Sequence, residues 1–338
     1  MKLGPAVGLA IPKASALPFT CSVVICTKGR PNELARCLEA VTELNPGPSE
    51  VIVVDNAPLD SNAFSVAMRW SVCYIAEPRP GLSRARNRGA SACRYEIVAF
   101  LDDDAVPQPD WLLHLVSEFE DSSVNAVAGK IRAMVATTEV GRQCAAYYMP
   151  EDTRERRIVD RETDAWFELA NFGGIGDGGN MAFRRRAFEV WDGFDERLGR
   201  GAPLRGGEEH YAFFTLIDQG HRVVYTPRAI VHHPCPGTVE DLRTRQLSDL
   251  TGATCYTAML LAEQPRYRLR AMHYALSGLL GVSRPWRKNA PRSPFLNVPL
   301  RQKLLAYLGG PLLYIRMRLY AWGKVHGKRS TASAEAEF

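Results

Sequence analysis

The sequence predicts a doubly wound α/β sheet followed by a helical extension. Short apolar runs rich in Val and Ile recur in the N-terminal part, as is typical of parallel strands that are covered on both faces. A segment of helix length separates each run from the next, which is the alternation of a βαβ fold. Beyond Asp241 this alternation gives way to long helix-like stretches rich in Lys and Arg.

Each element is assigned from its local pattern. The predicted strands are 21–27, 50–56, 72–77, 96–102 and 181–183. The predicted helices are 31–43, 60–70, 81–93 and 184–190, with a further helix that begins at Glu208. Pro31 suits the first turn of its helix, because a proline there removes no intrahelical hydrogen bond.

Composition limits the class of protein. With 338 residues and 46% hydrophobic residues, the chain is long enough to form a globular core. Its net charge of +5 is uneven: fourteen Lys or Arg and only three Glu follow Leu261, so the remainder is slightly acidic. A basic C-terminal region predicts an anionic partner. The eight cysteines form no CxxC pair, which predicts buried free thiols in a reducing cytosol and neither disulfides nor a zinc site.

The first nineteen residues only partly imitate a signal peptide. Pro5 and Pro12 interrupt the apolar part, so we expect an irregular leader over 1–19 and no export. No apolar run reaches the length of about eighteen residues that a membrane-spanning helix needs.

Three predicted strands end in polar residues. The segments are Thr27 to Arg30, Asp55 with Asn56, and Asp102 to Asp104. Ligands of open parallel sheets bind at the carboxyl ends of the strands, so one crevice can hold all three segments. Adjacent carboxylates repel one another unless a cation meets them, and hard oxygen ligands suit Mg²⁺ or Mn²⁺ completed by substrate phosphates. The pattern indicates a nucleoside diphosphate site, although Asp55 alone is equally compatible with a capping role.

The second half of the sequence contains a glycine-rich segment and an acidic pair. Glycines between 173 and 179 allow a close approach of backbone to a ligand. They include a GxGxxG match that does not follow a strand, so we reject it as a dinucleotide fingerprint. Gly206 and Gly207 precede Glu208 and Glu209; the helix dipole explains one acidic residue there, and the glycine pair favours a functional role.

The order of several short motifs resembles the family 2 glycosyltransferases, which are inverting enzymes with the GT-A fold, a Rossmann-like mixed sheet flanked by helices. The motifs are TKGRP, VIVVDN, GLSRARNRG, FLDDDAVPQPDW, GGNMAFRR, GFDERLG, GGEEH and YTPRAIVHH. The resemblance covers roughly residues 20 to 235.

The resemblance implies a role for individual residues. On the donor side, Thr27 and Arg30 border the nucleoside, Asp55 pairs with the base and Arg86 supports the nucleotide. The DxD motif falls on Asp102 and Asp104, with Asp103 facing the nucleotide. Asp104 is then the expected direct ligand of Mg²⁺ or Mn²⁺, and Asp102 and His233 are further metal ligands.

The acceptor side departs from the family pattern at one position. The family has an ED pair whose second member is the general base, whereas this chain has Glu208 and Glu209. The resemblance implies that Glu209 is the base, and Glu208 stays an alternative. Gly179 and Asn180 are expected on the acceptor side.

The expected architecture has three parts. Residues 1–19 form the leader, 20–238 the GT-A domain (20–133 the nucleotide-sugar half, 134–238 the acceptor half), and 239–338 a basic helical region. The expected reaction moves a sugar from a nucleotide-sugar donor to a hydroxyl of a glycan or lipid-linked acceptor in surface polysaccharide or glycolipid synthesis. A UDP-sugar is favoured, and GDP or dTDP is also compatible. The alternatives are a degenerate nucleotide-binding protein without transfer activity and a sugar nucleotidyltransferase. A nucleotidyltransferase would have a glycine-rich loop with Lys or Arg directly after the first strand, and TKGRPNEL matches such a loop poorly.

The basic C-terminal region has two interpretations. The uncharged run 304–315 is too short to cross a bilayer, and basic and aromatic residues accompany it, as in an interfacial helix on anionic lipid. Such a protein would be cytoplasmic and peripheral on the inner face of the cell membrane. Alternatively, the helices pack on the GT-A core with their arginines in water. The proline-rich stretch 283–299 is expected to be irregular. No recognised nucleic-acid module accompanies the charge, so we expect no nucleic acid partner.

Overall fold

The computed structural model describes residues 17–279 and 298–334, without the side chains of 278–279 and 321–334. Most of the predicted leader 1–19 and of the proline-rich stretch 283–299 therefore lies outside the described residues.

The described residues form an α/β fold, as predicted. The strands are β1 (Cys21–Thr27), β2 (Glu50–Asn56), β3 (Cys73–Glu77), β4 (Ile97–Asp102), β5 (Val106–Pro107), β6 (Val124–Ala133), β7 (Arg157–Val159), β8 (Asn180–Arg184) and β9 (Arg222–His233). The helices of the sheet region are α1 (Pro31–Thr42), α2 (Asn62–Arg69), α3 (Leu82–Ala92), α4 (Trp111–Ser117), α5 (Glu139–Tyr148), α6 (Trp166–Asn171), α7 (Ala187–Trp191) and α8 (Glu208–Asp218). The C-terminal helices are α9 (Val239–Glu263), α10 (Arg268–Leu279) and α11 (Leu300–Ala334).

The strands form one mixed sheet. Its order is β3-β2-β1-β4-β8-β6-β9-β5, and β7 pairs with β9 beside this path. Strands β1 to β4 are parallel, whereas β8 runs antiparallel between β4 and β6. The carboxyl end of β4 therefore lies beside the amino end of β8.

Buried apolar residues cover both faces of the sheet. One cluster joins alternate residues of β1, β2 and β4 to helices α1, α2 and α4, and includes the fully buried Trp111. The other cluster lies on the opposite face and reaches helices α3, α6, α8 and α9. Strands covered on both faces have few exposed positions, which is why β1 and β4 read as nearly continuous apolar runs.

The C-terminal helices share the core of the sheet. Cys255, Met259 and Ala271 are buried in the same cluster as the sheet residues, together with Tyr314 of α11. Helix α9 begins at a Thr238 cap, whose hydroxyl accepts a hydrogen bond from the backbone N–H of Asp241. A search of the described helices finds none with the length and apolar character of a bilayer span.

One predicted helix has the wrong start. The sequence predicts a helix over 184–190, but Arg184 is the last residue of β8 and α7 begins at Ala187. The Arg184 guanidinium is buried and donates to the carbonyls of Val124, Phe119 and Asp121, so the residue is fixed in the strand.

Candidate active site

Strand register brings the predicted donor residues to one edge of the sheet. Thr27 of β1 pairs with Asp55 of β2, and Cys26 pairs with Asp102 of β4. The short strand β5 pairs with the end of β9, with Val106 opposite His232. The polar ends of three parallel strands and the carboxyl end of β9 therefore meet in one place.

The three aspartates have different surroundings. Asp103 is fully buried; it accepts a hydrogen bond from the Thr27 hydroxyl at 2.7 Å and lies 2.6 Å from the guanidinium of Arg30. Arg30 also donates to Asp104 at 2.6 Å. Burial raises the pKa of Asp103 to about 7, although the charge of Arg30 and the bond from Thr27 oppose it. Asp102 is one-third exposed, so its side chain is open to a ligand.

Asp102, Asp104 and His233 form a group with metal-ligand geometry. One ligand atom from each lies within 4.8 Å of the others, and His233 Nε2 is 3.0 Å from Asp104 Oδ1. Burial works against charge on both groups of this pair. The hydrogen bond and the mutual attraction nevertheless outweigh it, lowering the pKa of Asp104 to about 2 and raising that of His233 to about 9. Two carboxylates and one imidazole fit a divalent cation such as Mn²⁺.

Glycines let the segment before β8 approach these carboxylates. A Cβ added to Gly179 would lie 2.6 Å from Asp102 Oδ2, and one added to Gly178 would lie 2.9 Å from a terminal nitrogen of Arg86. Neither position has room for a side chain. The glycine-rich segment therefore fits closely against the Asp102 and Arg86 side chains.

Arg86 lies between the group formed by Asp102, Asp104 and His233 and the acidic pair at the start of α8. Its guanidinium is buried; it donates to Glu208 Oε1 at 2.9 Å and to the Gly178 carbonyl at 2.9 Å, and it lies 3.7 Å from Asp102 Oδ1. It also lies over the ring of Phe194. The resemblance implies that Arg86 supports the nucleotide, and the structure shows its guanidinium engaged in these four contacts within the protein.

The two glutamates differ in what they contact. Glu208 is buried and paired with Arg86. Among the described residues Glu209 has no Arg or Lys within ion-pair distance; Nδ1 of the His210 ring lies 3.6 Å from its carboxylate. Burial raises the pKa of Glu209 above the usual range of a carboxyl, and the negative charge of Glu208 adds to the increase. A raised pKa is the property that a general base working near neutral pH requires.

Asp55 is buried at the end of β2 and accepts a hydrogen bond from the Tyr74 hydroxyl at 3.0 Å. Burial raises its pKa, and the bond from Tyr74 counteracts this. The sequence did not point to Tyr74; the signal available was its place on β3, the strand that pairs with β2.

Asn180 is completely buried and its side-chain amide is used inside the protein. Its oxygen accepts from the Trp111 indole at 2.8 Å, and its nitrogen donates to the carbonyls of Lys130 and Ala229 at 2.9 Å. These bonds join α4, β6 and β9 behind the site.

Two residues of the GLSRARNRG motif position the segment after β8. The Ser83 hydroxyl donates to the Leu198 carbonyl at 2.7 Å. The Asn87 side chain both donates to and accepts from the backbone of Phe194, at 2.8 Å each. The spacing of Ser83, Arg86 and Asn87, which places all three on one helix face, is the sequence signal for these contacts.

The chain is similar in sequence to known glycosyltransferases. The family described as "Glycosyl transferase family 2" matches residues 22–191, which is half of the chain. The pre-mycofactocin glycosyltransferase of Mycobacterium tuberculosis is 29% identical over 218 residues, covering 63% of this chain and only 42% of that protein. The succinoglycan biosynthesis protein ExoM of Rhizobium meliloti is 28% identical over 305 residues, covering 76% of this chain and 92% of that protein.

The fold has a counterpart among solved structures. The mannosyltransferase PcManGT from Pyrobaculum calidifontis, solved in complex with GDP-Man and Mn²⁺, superposes with a TM-score of 0.54 at 17% identity, covering 95% of this chain and 81% of that one. Such low identity shows the fold alone. Together with the family match, it establishes that the chain belongs to glycosyltransferase family 2 and has the GT-A fold.

Proposed function

We propose that the protein is an inverting, metal-dependent glycosyltransferase that uses a nucleoside diphosphate sugar, with a UDP-sugar favoured and GDP or dTDP compatible. The observation that carries the proposal is the position of Arg86, which lies within reach of both Asp102 and Glu208. The buried guanidinium of Arg86 thus links the carboxylates that are suited to bind a metal ion with the helix that carries the candidate base.

The donor side follows from the contacts at the strand ends. Asp55 offers a buried acceptor to a ring N–H of the base, while Thr27 and Arg30 hold Asp103 and Asp104 in place. Asp102, Asp104 and His233 would hold a Mg²⁺ or Mn²⁺ ion. When bound, that ion would neutralise the charge on the departing diphosphate.

The transfer step is a single displacement. An acceptor hydroxyl attacks the sugar C1 from the face opposite the leaving group; the new C1–O bond forms while the bond to the diphosphate oxygen breaks. The hydroxyl proton passes to the Glu209 carboxylate, and the nucleoside diphosphate leaves with the bonding electron pair. The anomeric configuration is inverted. Gly179 and Asn180, which follow the glycine-rich segment packed against Asp102, are assigned to the acceptor side.

A turnover assay tests this proposal. The protein would be incubated with Mn²⁺, a UDP-, GDP- or dTDP-sugar and a glycan or lipid-linked acceptor with a free hydroxyl; nucleoside diphosphate release would be followed, and the anomeric configuration of the glycosylated product would be determined by NMR. We expect release from one donor class, loss of release on chelation, and an inverted anomeric centre. Product of retained configuration would reject the single displacement, and metal-bound nucleotide without any turnover would favour the degenerate binding protein.

We propose in addition that the C-terminal helices place the enzyme on an anionic lipid surface. One face of α11 packs on α9, but Leu304, Leu308, Ile315 and Leu319 are more than half exposed. Their spacing puts them on one side of the helix. The sequence from 264 to 334 contains no Asp or Glu and fourteen Lys or Arg; those of α11 with described side chains are Arg301, Lys303, Arg316 and Arg318.

A further inference from the structure

A groove separates parts of α9 and α11 beside the turn that leads into α8. It is an open groove with a volume of about 540 Å³, and the Leu305 and Leu312 side chains that line it are exposed. Leucines provide most of its walls: Leu247 on α9, and Leu305, Leu312 and Leu313 on α11. Two arginines, Arg205 and Arg316, also line it.

The groove exists because two adjacent glycines of α11 meet different surroundings. At Gly310 the helices touch: an added Cβ would lie 2.2 Å from the Thr254 hydroxyl oxygen and 2.5 Å from the Cys255 backbone nitrogen. At Gly309 the nearest atom to an added Cβ is a Thr251 methyl, at 3.8 Å. The missing side chain at Gly309 therefore leaves space between helices that are otherwise in contact.

The charge of the groove is positive and unpaired. Arg205 and Arg316 are exposed, and among the described residues neither has a carboxylate within ion-pair distance. Arg197 and Arg318, in contrast, both lie near Glu263. An apolar groove with unpaired guanidinium groups matches a ligand that has a long hydrocarbon chain and an anionic head.

The groove also lies close to the candidate base. Arg205 precedes Gly206, Gly207, Glu208 and Glu209 along the chain. The Arg205 carbonyl is in contact with α9 at Gly252, where an added Cβ would lie 3.0 Å away. One wall of the groove therefore continues into the turn that positions Glu209.

We propose that this groove binds the hydrocarbon chain of the acceptor, and that the acceptor is a lipid whose sugar-accepting head is joined to the chain through phosphate. Arg205 and Arg316 bind the phosphate, and the head extends along the Gly206–Gly207 turn toward Glu209. This inference rests on the proposed transfer function and names the acceptor class of the same site. It concerns a groove distinct from the outer leucine face proposed to meet the bilayer.

Photoaffinity labelling tests the groove without requiring catalysis. The full-length protein would be irradiated with a dodecyl phosphate that carries a diazirine near the end of its chain, and labelled peptides would be identified by mass spectrometry. We expect labels in α9 and α11, near Leu247 and Leu312. Unlabelled dodecyl phosphate should compete roughly tenfold better than dodecanol, since an ionic contact of that strength is lost with the phosphate.

Matched variants locate the site. Gly309→Leu fills the groove and should abolish labelling, whereas Gly309→Ala should retain it, because a methyl group fits there. Arg316→Gln should weaken labelling roughly tenfold, and Arg318→Gln, near Glu263, should leave it unchanged.

Labels elsewhere, no label at all, or equal labelling of Gly309→Leu would overturn the lipid groove. Such a result would leave the proposed transfer function standing if metal-dependent donor binding were still observed. If groove labelling were intact but metal-dependent donor binding were absent, the proposed transfer function would fail while the lipid groove would stand.

Discussion

The acidic pair shows how neighbouring residues of one type acquire different roles. Glu208 is the first residue of α8 and contacts the buried Arg86, so its charge is already compensated. Glu209 lies one position further and is half-buried; among the described residues it forms no ion pair with Arg or Lys, and the His210 ring lies 3.6 Å away. The resemblance implies that the second member of the pair is the base, and the contacts support that assignment because Glu208 is occupied.

The pH profile of the reaction tests the role of Glu209. Burial raises its pKa, so the base is protonated and inactive until the pH exceeds a value well above the ordinary glutamate value of about 4.3. We expect kcat/KM to rise with pH through that raised pKa and then level off. Glu209→Gln should lower kcat by roughly 10²–10⁴-fold and remove the rise of kcat/KM with pH. A variant with wild-type kcat would exclude Glu209 as the base.

Arg86 is expected to contribute strongly to stability. Arg86→Met would leave Glu208 buried without its cation, which costs about 3–5 kcal/mol in comparable cases. Urea unfolding measures the effect. Arg94→Met is the control, because Arg94 pairs with Glu50 at the surface and its loss should change stability little. Equal effects of the two substitutions would mean that the buried pair is not a structural link.

Some of the individual site residues could be predicted from the sequence. The strand-end polar residues were predicted because the carboxyl ends of parallel strands share one edge. The contact between Arg86 and Glu208 could not be predicted, because it joins residues that are far apart in sequence and depends on where the tertiary fold places the start of α8. The buried amide of Asn180 was equally invisible, since its partners lie on three other elements.

Secondary-structure elements followed local pattern wherever packing was regular. The predicted strands 21–27 and 50–56 agree with β1 and β2 at both ends. The antiparallel insertion of β8 between β4 and β6 could not be derived from its apolar pattern, because pattern sets burial but not strand order or direction. The late start of α7 has the same origin: long-range bonds hold Arg184 in β8.

The glycine pair of α11 provides a test at the scale of elements. Gly310→Ala should destabilise the docking of α11 on α9 by roughly 1–3 kcal/mol, because the added methyl group collides with Thr254 and the Cys255 backbone. Gly309→Ala should be neutral or stabilising by up to about 1 kcal/mol, since alanine favours the helix and fits. Thermal unfolding compares them. Identical melting temperatures would contradict the close contact at Gly310.

At the scale of the whole molecule, the C-terminal helices show the packing on the core that was one of the two interpretations of the sequence, and the membrane interpretation stays a prediction. They pack on the core through Cys255, Met259 and Tyr314, and α11 still presents an apolar face outward. Sequence alone could not separate these faces, because the packed side of α11 is marked by small residues such as Ala306 and Gly310 and not by a strong apolar period.

Vesicle co-sedimentation tests the outward face. We expect binding to vesicles that contain phosphatidylglycerol, weaker binding to phosphatidylcholine vesicles, and release as salt is increased, because the attraction is screened. Leu308→Glu should reduce binding, whereas Val190→Glu on α7 should not, although Val190 is also exposed. Equal binding of both variants, or none by the wild type, would remove the membrane proposal.

We propose that the strand ends form a metal-dependent site for a nucleoside diphosphate. The direct measurement is the thermal shift produced by UDP, GDP, dTDP and CMP, each with and without Mn²⁺, in the wild type, in Asp104→Asn and in the control Asp110→Asn. Asp110 lies at the surface and pairs with His114, so its substitution should not matter. We expect stabilisation by one nucleoside diphosphate that requires Mn²⁺, disappears in Asp104→Asn and persists in Asp110→Asn. Stabilisation that is independent of Mn²⁺ and of Asp104, or no stabilisation by any nucleotide, would exclude such a site.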